Sequence, residues 1–227
     1  MLVLALDTAT PAVVAGVVEL TPAAAVQRSV RVASDARKHA ELLMPGVLAA
    51  CADAGVALRD VDAVVTGIGP GPFTGLRVGM VTAAALGDAL DVPVHGVCTL
   101  DAIAVGAIAV EAADAEPLLV VTDARRREVY WAAYDAAGRR TSGPHVEAPA
   151  ALAERIPELG VQAAAGESAH VTGLPVRPPG APSPAGLVGV AAGELLAGTV
   201  PGPLEPLYLR RPDAQEPGGR KRVTANR

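Results

Sequence analysis

Between residues 61 and 110 the sequence alternates twice between a short β-branched run and an apolar stretch of helical length. VDAVVTGI (61–68) precedes an apolar stretch at 76–90, and VPVHGV (92–97) precedes another at 100–110. Short runs rich in Val and Ile read as strands, and longer apolar stretches read as helices. Two strand–helix units in succession require crossover connections, which place parallel strands in one sheet with helices packed on it. The chain is therefore expected to be α/β. Ahead of these units, residues 2–6 and 13–20 flank a DTATP turn and read as a hairpin, and VQRSVRV (26–32) reads as a third strand with one face in solvent. Residues 35–54 change period, with Leu42, Leu43, Val47, Leu48 and Cys51 on one helical stripe and Pro45–Gly46 expected to kink it.

A second half starts as the first did. PLLVVT (117–122) and EVYWAAY (128–134) read as a hairpin around the charged turn 123–127. Beyond Ala136 the pattern weakens to a short helix at 152–159, a strand at 161–166 and a helix at 186–197, with prolines 175, 178, 179, 182 and 184 marking a loop. The last stretch, 210–227, holds six basic and two acidic residues with no apolar period, and is expected to be a disordered basic tail. The expected division is an N-terminal lobe over 1–110, a smaller C-terminal lobe over 111–209, and the tail.

Composition narrows the functions. The 227 residues are 51% hydrophobic but 2% aromatic. A chain of this length buries roughly 70% of its unfolded surface, enough for a core without staples. With 19 basic against 24 acidic residues the net charge is −5, which gives no footprint for unaided nucleic-acid binding. One Trp, three Tyr and one Phe are too few for platforms of stacked bases. Cys51 and Cys98 fit no metal spacing and read as reduced, buried thiols. Charges, Gly or Pro interrupt every run before membrane-spanning length, and MLVLALDTAT lacks the basic start of a secretory signal, so a soluble, cytoplasmic protein is expected.

Four segments carry chemistry. Asp7, Thr8 and Thr10 stand in the first hairpin turn. A carboxylate there with small hydroxyl residues can hold a metal-phosphate, as in nucleotide-binding proteins of the actin, hexokinase and Hsp70 kind, or can bond turn backbone groups. Those proteins place Gly where Ala9 stands, and a Cβ hinders close approach to phosphate. GPGPFTGLRVG (69–79) lies at a strand-to-helix junction but lacks the Lys-Ser/Thr of a P-loop, and Pro70 and Pro72 remove N–H donors. A weak anion site from Thr74, Gly75 and Arg77 remains. The following helix carries Gly75, Gly79, Ala83 and Gly87 at four-residue spacing. Each interior Gly costs about 1 kcal/mol relative to Ala, so the stripe asks for a close backbone neighbour, either the Pro45 helix or a helix of another subunit. His39, His95, His145 and His170 are scattered, and Leu43 stands four residues after His39, so no zinc-type pair forms and no catalytic or metal residue is nominated. Arg125, Arg126 and Arg127 occupy the second hairpin turn, as a solvated loop or as a contact for a phosphate or an acidic partner.

Together, LALDTAT, RKHAELLMPGV, TGIGPGPFTGLRVGM, the VDAVV and VPVHGV strands, DARRREVYWAAYD and PLYLRR resemble the TsaB (YeaZ) family over residues 1–211. The resemblance implies a degenerate actin-like/Hsp70-like (ASKHA) fold of two RNase H-like lobes, with mixed sheets and flanking helices. It implies a non-catalytic subunit needed for N6-threonylcarbamoyladenosine in ANN-decoding tRNAs, paired with the catalytic subunit TsaD and joined by the ATPase TsaE. TsaD carries the metal-binding histidines and transfers the threonylcarbamoyl group; tRNA is reached through the complex. On this chain the implied dimer surface is His39, Leu42, Leu43, Val47, Gly75, Leu76, Gly79, Ala83 and Gly87, used for a homodimer when the subunit is isolated. Asp7, Thr8 and Thr10 become vestigial nucleotide-binding positions, with no cofactor held tightly and ATP or ADP expected at the TsaD junction. The competing readings are an actin-like ATPase or kinase using Asp7 and Thr10, and a glycoprotease-like peptidase, which the missing His pair disfavours.

Overall fold

A computed structural model describes residues 1–34, 38–110 and 116–210, and every structural statement below refers to these. The first sheet runs β3-β2-β1-β4-β5. In it β1 (Leu2–Asp7), β2 (Ala12–Leu20) and β3 (Ala25–Ser34) are antiparallel neighbours, and β4 (Ala63–Gly67) and β5 (Val94–Val97) continue parallel to β1. The second sheet repeats the plan with one strand fewer. Its order is β8-β7-β6-β9, from β6 (Leu118–Asp123), β7 (Val129–Tyr134), β8 (Arg140–Glu147) and β9 (Ala163–Ala165), with β9 parallel to β6. The helices are α1 (His39–Ala54), α2 (Phe73–Leu90), α3 (Thr99–Val110), α4 (Pro149–Leu159) and α5 (Pro184–Leu196).

Side-chain alternation along the strands sets the layers. Leu4 and Leu6 point to one face with Leu43 and Val47 of α1 and Ala83 and Leu86 of α2. Val3 and Ala5 point to the other, under Leu187, Val188, Ala191 and Leu195 of α5. Both faces are covered, so β1 and β4 are apolar at nearly every position, as strands buried on two sides must be. The second sheet buries one face on Leu100, Ile103 and Ala107 of α3 and the other on Leu152 and Ile156 of α4. The molecule is thus layered α1/α2, sheet, α3/α5, sheet, α4. The shared middle layer is close-packed through small residues: a Cβ on Gly186 would lie 2.3 Å from the Ala102 carbonyl oxygen, and one on Gly189 would lie 2.9 Å from Val105.

Several expectations shift. Residues 35–37 lie outside the described set, and α1 is described from His39 and runs on through Pro45 to a left-handed Gly55 (φ 69°), whose N–H bonds the Ala52 carbonyl. α2 starts one turn earlier than expected, at Phe73, because Pro72 supplies an extended residue just before the helix. β8 is absent from the sequence expectation. It is an edge strand with Gly143–Pro144 inside and no fully buried residue, so it lacks the apolar run that marks a strand. α5 follows the second hairpin in sequence yet covers the first sheet, started by Ser183, whose hydroxyl accepts the Gly186 N–H at 3.0 Å. Both cysteines are buried and unpaired, and burial pushes the Cys98 thiol up to about 12. No helix of the described residues is long and apolar enough to cross a membrane. Of the expected tail, residues 211–227 lie outside the described set.

Candidate functional site

The β1–β2 turn gathers most of the nominated polar residues. Asp7 is fully buried. One carboxylate oxygen accepts the Ala9 N–H at 2.9 Å, and the other accepts the Thr99 hydroxyl at 2.7 Å. Burial pushes its pKa up to about 6, against the opposing hydrogen bonds from Thr99 and Ala9. Thr8 donates to the Gly75 carbonyl at 2.7 Å and accepts the Gly79 N–H at 2.9 Å, which ties the turn to α2. The Thr10 hydroxyl accepts the Ala12 N–H at 3.3 Å, and the Thr10 carbonyl lies 3.1 Å from His39 Nε2, which ties the turn to α1.

The second loop closes over this turn. A Cβ on Gly71 would sit 2.2 Å from the Ala9 carbonyl oxygen, and one on Gly67 would sit 1.8 Å from an Asp7 carboxylate oxygen. Backbone therefore occupies the space a metal-bridged phosphate would need, and a nucleotide bound through Asp7, Thr8 and Thr10 does not fit. The three anion-site residues also diverge. Gly75 faces the Thr8 carbonyl, Thr74 is exposed, and Arg77 donates from Nε to the Tyr208 hydroxyl at 2.8 Å while its guanidinium lies 3.9 Å over the Phe73 ring. Among the described residues no group of three or more His, Cys, Asp or Glu is placed to hold a metal.

The small-residue stripe has close neighbours inside the chain. Added methyl groups would meet Thr8 at 2.8 Å from Gly75 and 2.5 Å from Gly79, and Val94 at 2.2 Å from Gly87. Ala83 is fully buried. Of the other nominated interface residues His39, Leu43, Val47 and Leu76 are buried and Leu42 is half-buried. What α1 and α2 leave outside is a different set: Leu48 is 55% exposed, Phe73 46% and Val81 66%, with Val78 half-buried beside them. The spacing Phe73, Arg77, Val81, Ala85 marks that outer line of α2.

In the second hairpin turn Arg125, Arg126 and Arg127 all have left-handed backbones, φ 61°, 54° and 63°. Each non-glycine residue there costs roughly 1–2 kcal/mol. Asp123 caps the turn by accepting the Arg125 N–H at 2.8 Å, and its own N–H donates to Glu167 at 3.0 Å.

Paired lobes of mixed sheet with helices between and outside them define an ASKHA-like protein whose first phosphate-type turn is closed. A profile of the TsaD family, described as tRNA N6-adenosine threonylcarbamoyltransferase, matches residues 31–176. The solved structure of YeaZ from Pseudomonas aeruginosa superposes with a TM-score of 0.72 and 30% identity, covering 92% of this chain and 99% of that one. The Rv3421c protein of Mycobacterium tuberculosis is 54% identical over 213 residues, 94% of this chain and 93% of that one. The tRNA threonylcarbamoyladenosine biosynthesis protein TsaB of Escherichia coli is 39% identical over 98 residues, 43% of this chain and 42% of its own. The chain belongs to the TsaB/YeaZ family.

Proposed function

We propose that this chain is a non-catalytic subunit in the synthesis of N6-threonylcarbamoyladenosine in tRNA, and that it works by docking the catalytic subunit TsaD on the outer face of α1 and α2. The observation that carries the reading is the set of large apolar side chains those helices keep outside, Leu48, Phe73 and Val81, next to a turn whose carboxylate is sealed. Exposed apolar residues grouped on two adjacent helices mark a protein–protein surface. The match of the TsaD profile to this chain supports a pairing of two similarly built subunits. In isolation the same face joins two copies; in the assembly TsaE adds to the pair, tRNA is engaged through the complex, and the setting is cytoplasmic.

Light scattering on the full chain mixed with its TsaD counterpart tests this. A one-to-one complex is expected, abolished by Leu48→Asp with Val81→Asp at unchanged melting temperature. No complex, or pairing indifferent to that double substitution, contradicts the proposal.

A further inference from the structure

The charges on α2 stand against the dipole of the helix. A helix is positive at its N-terminus and negative at its C-terminus, so carboxylates suit the first turn and cations the last. The first turn of α2 holds no acidic residue and its last turn no basic one. Instead the Arg77 guanidinium lies back over Phe73, the first residue of the helix, at 3.9 Å, and its Nε donates to the Tyr208 hydroxyl at 2.8 Å. Asp88 and Asp91 stand at the opposite end, in the last turn and at the left-handed C-cap (φ 56°). All three are exposed, and none has an ion pair among the described residues. Each charge therefore sits, uncompensated, at the end of the helix that favours it least.

The outer face between these ends is complementary to itself. At 100° per residue, Val81, Ala84 and Asp88 all fall within about 40° of Arg77 around the helix. Val81 is 66% exposed, and Ala84 is small enough to let another backbone come close. Arg77 and Asp88 are equally far along the chain from the point midway between Val81 and Ala84. A two-fold axis at that point runs a second α2 antiparallel to the first and seats Val81 of each copy on Ala84 of the other. It also brings each Arg77 to Asp88 and Asp91 of the other copy. Beyond them Phe73 and Tyr208, stacked at 5.3 Å between centroids and 46% and 37% exposed, face a groove of about 680 Å³ whose lining includes Asp88, Asp91, Val92, Pro93 and Pro201. We propose that a second copy of this chain docks in this register, with reciprocal Arg77–carboxylate pairs at both ends of an antiparallel α2 pair. The proposal rests on the self-pairing through the outer face of α1 and α2 put forward above, and adds the orientation and the residues that fix it. Arg77 is held in advance by Phe73 and Tyr208, so it loses little freedom on pairing, and its remaining N–H donors match a carboxylate.

Sedimentation of the full chain tests the register by exchanging charges. The wild type is expected to form a dimer that loosens as salt rises. Arg77→Glu and Asp88→Arg each bring like charges together at both junctions, and each alone should weaken self-pairing at least tenfold at an unchanged melting temperature. Mixed one to one, the two variants should recover wild-type pairing, because both junctions of the mixed pair again join opposite charges; a merely structural role for either residue gives no such recovery. Where a charge reversal lowers the melting temperature, Arg77→Gln and Asp88→Asn should each still weaken pairing and flatten its salt dependence. A monomeric wild type, charge variants that pair as the wild type does, or a mixture that stays monomeric overturns the proposal. Val81→Asp and the complex with TsaD are measured alongside. Pairs broken by Val81→Asp but indifferent to both charge variants remove the register and leave the outer face, whereas charge exchange that succeeds with no TsaD complex removes the TsaD docking alone.

Discussion

Asp7 keeps both oxygens in hydrogen bonds while fully buried, and the cost of burying its charge appears as a pKa near 6 instead of the ordinary 3.8. The folded chain therefore holds this proton more tightly than the unfolded chain. The contribution is present below pH 3.8 and is lost as pH rises toward 6, by roughly 3 kcal/mol for a shift of this size. Asp7→Asn retains an acceptor for Ala9 and can face the Thr99 hydroxyl without charge. Urea unfolding should show the variant as stable as the wild type or more so at pH 7.5, with a flatter profile between pH 4 and 6. Destabilisation by several kcal/mol at pH 7.5 would contradict a neutral-preferring site. The lid over this residue gives a second prediction. Gly71→Ala forces a methyl group into the Ala9 backbone, whose atoms cannot rotate away, and should cost at least about 1–3 kcal/mol in the same assay. The altered residues, Ala9 for Gly and Leu43 for a second His, were legible in the sequence. The seal was not, because it depends on Gly71 meeting Ala9 across a fold that only the parallel pairing of β1 with β4 creates.

Along α2 the small-residue pattern marks a close-packed face without saying what packs on it. Gly75, Gly79 and Gly87 do mark close backbone approach, but a turn and a strand of the same chain satisfy that need as well as a partner helix would. Spacing identifies the face, and only tertiary contacts identify what covers it. The remaining face yields a distinct expectation. Val81→Asp and Leu48→Asp alter exposed positions, so each should change unfolding free energy by no more than about 0.5 kcal/mol, while under the docking proposal each should leave a monomer in sedimentation where the wild type self-pairs. Gly79→Leu would mislead as an interface probe, since its side chain would strike Thr8 inside the monomer. β8 escaped the sequence for a related reason: strand formation there rests on pairing with β7, and its solvent-facing residues carry no apolar period.

Across the whole molecule, the α/β class and the repeated hairpin opening follow from the order of apolar runs, whereas the path of the chain between the lobes does not. α5 returns from the second half to complete the first sheet's core, and α3 packs against the second sheet, so the middle layer belongs to both. Prolines 175–184 hid this, because a loop of that composition says where a helix begins and nothing about which sheet receives it. A fragment of residues 1–110 lacks Leu187, Val188, Ala191 and Leu195 over one sheet face and should fail to melt cooperatively, with strong dye binding to exposed apolar surface. Cooperative melting of that fragment would show that the lobes are independent.

Under the proposed function the subunit acts through the outer face of α1 and α2 and not through the carboxylate in the β1 turn. Threonylcarbamoyladenosine formed on tRNA by the reconstituted proteins measures it directly. Near wild-type product is expected with Asp7→Asn and a loss of at least tenfold with Leu48→Asp and Val81→Asp together; full activity of the double variant, or inactivity of a folded, TsaD-bound Asp7→Asn chain, would contradict the proposed function.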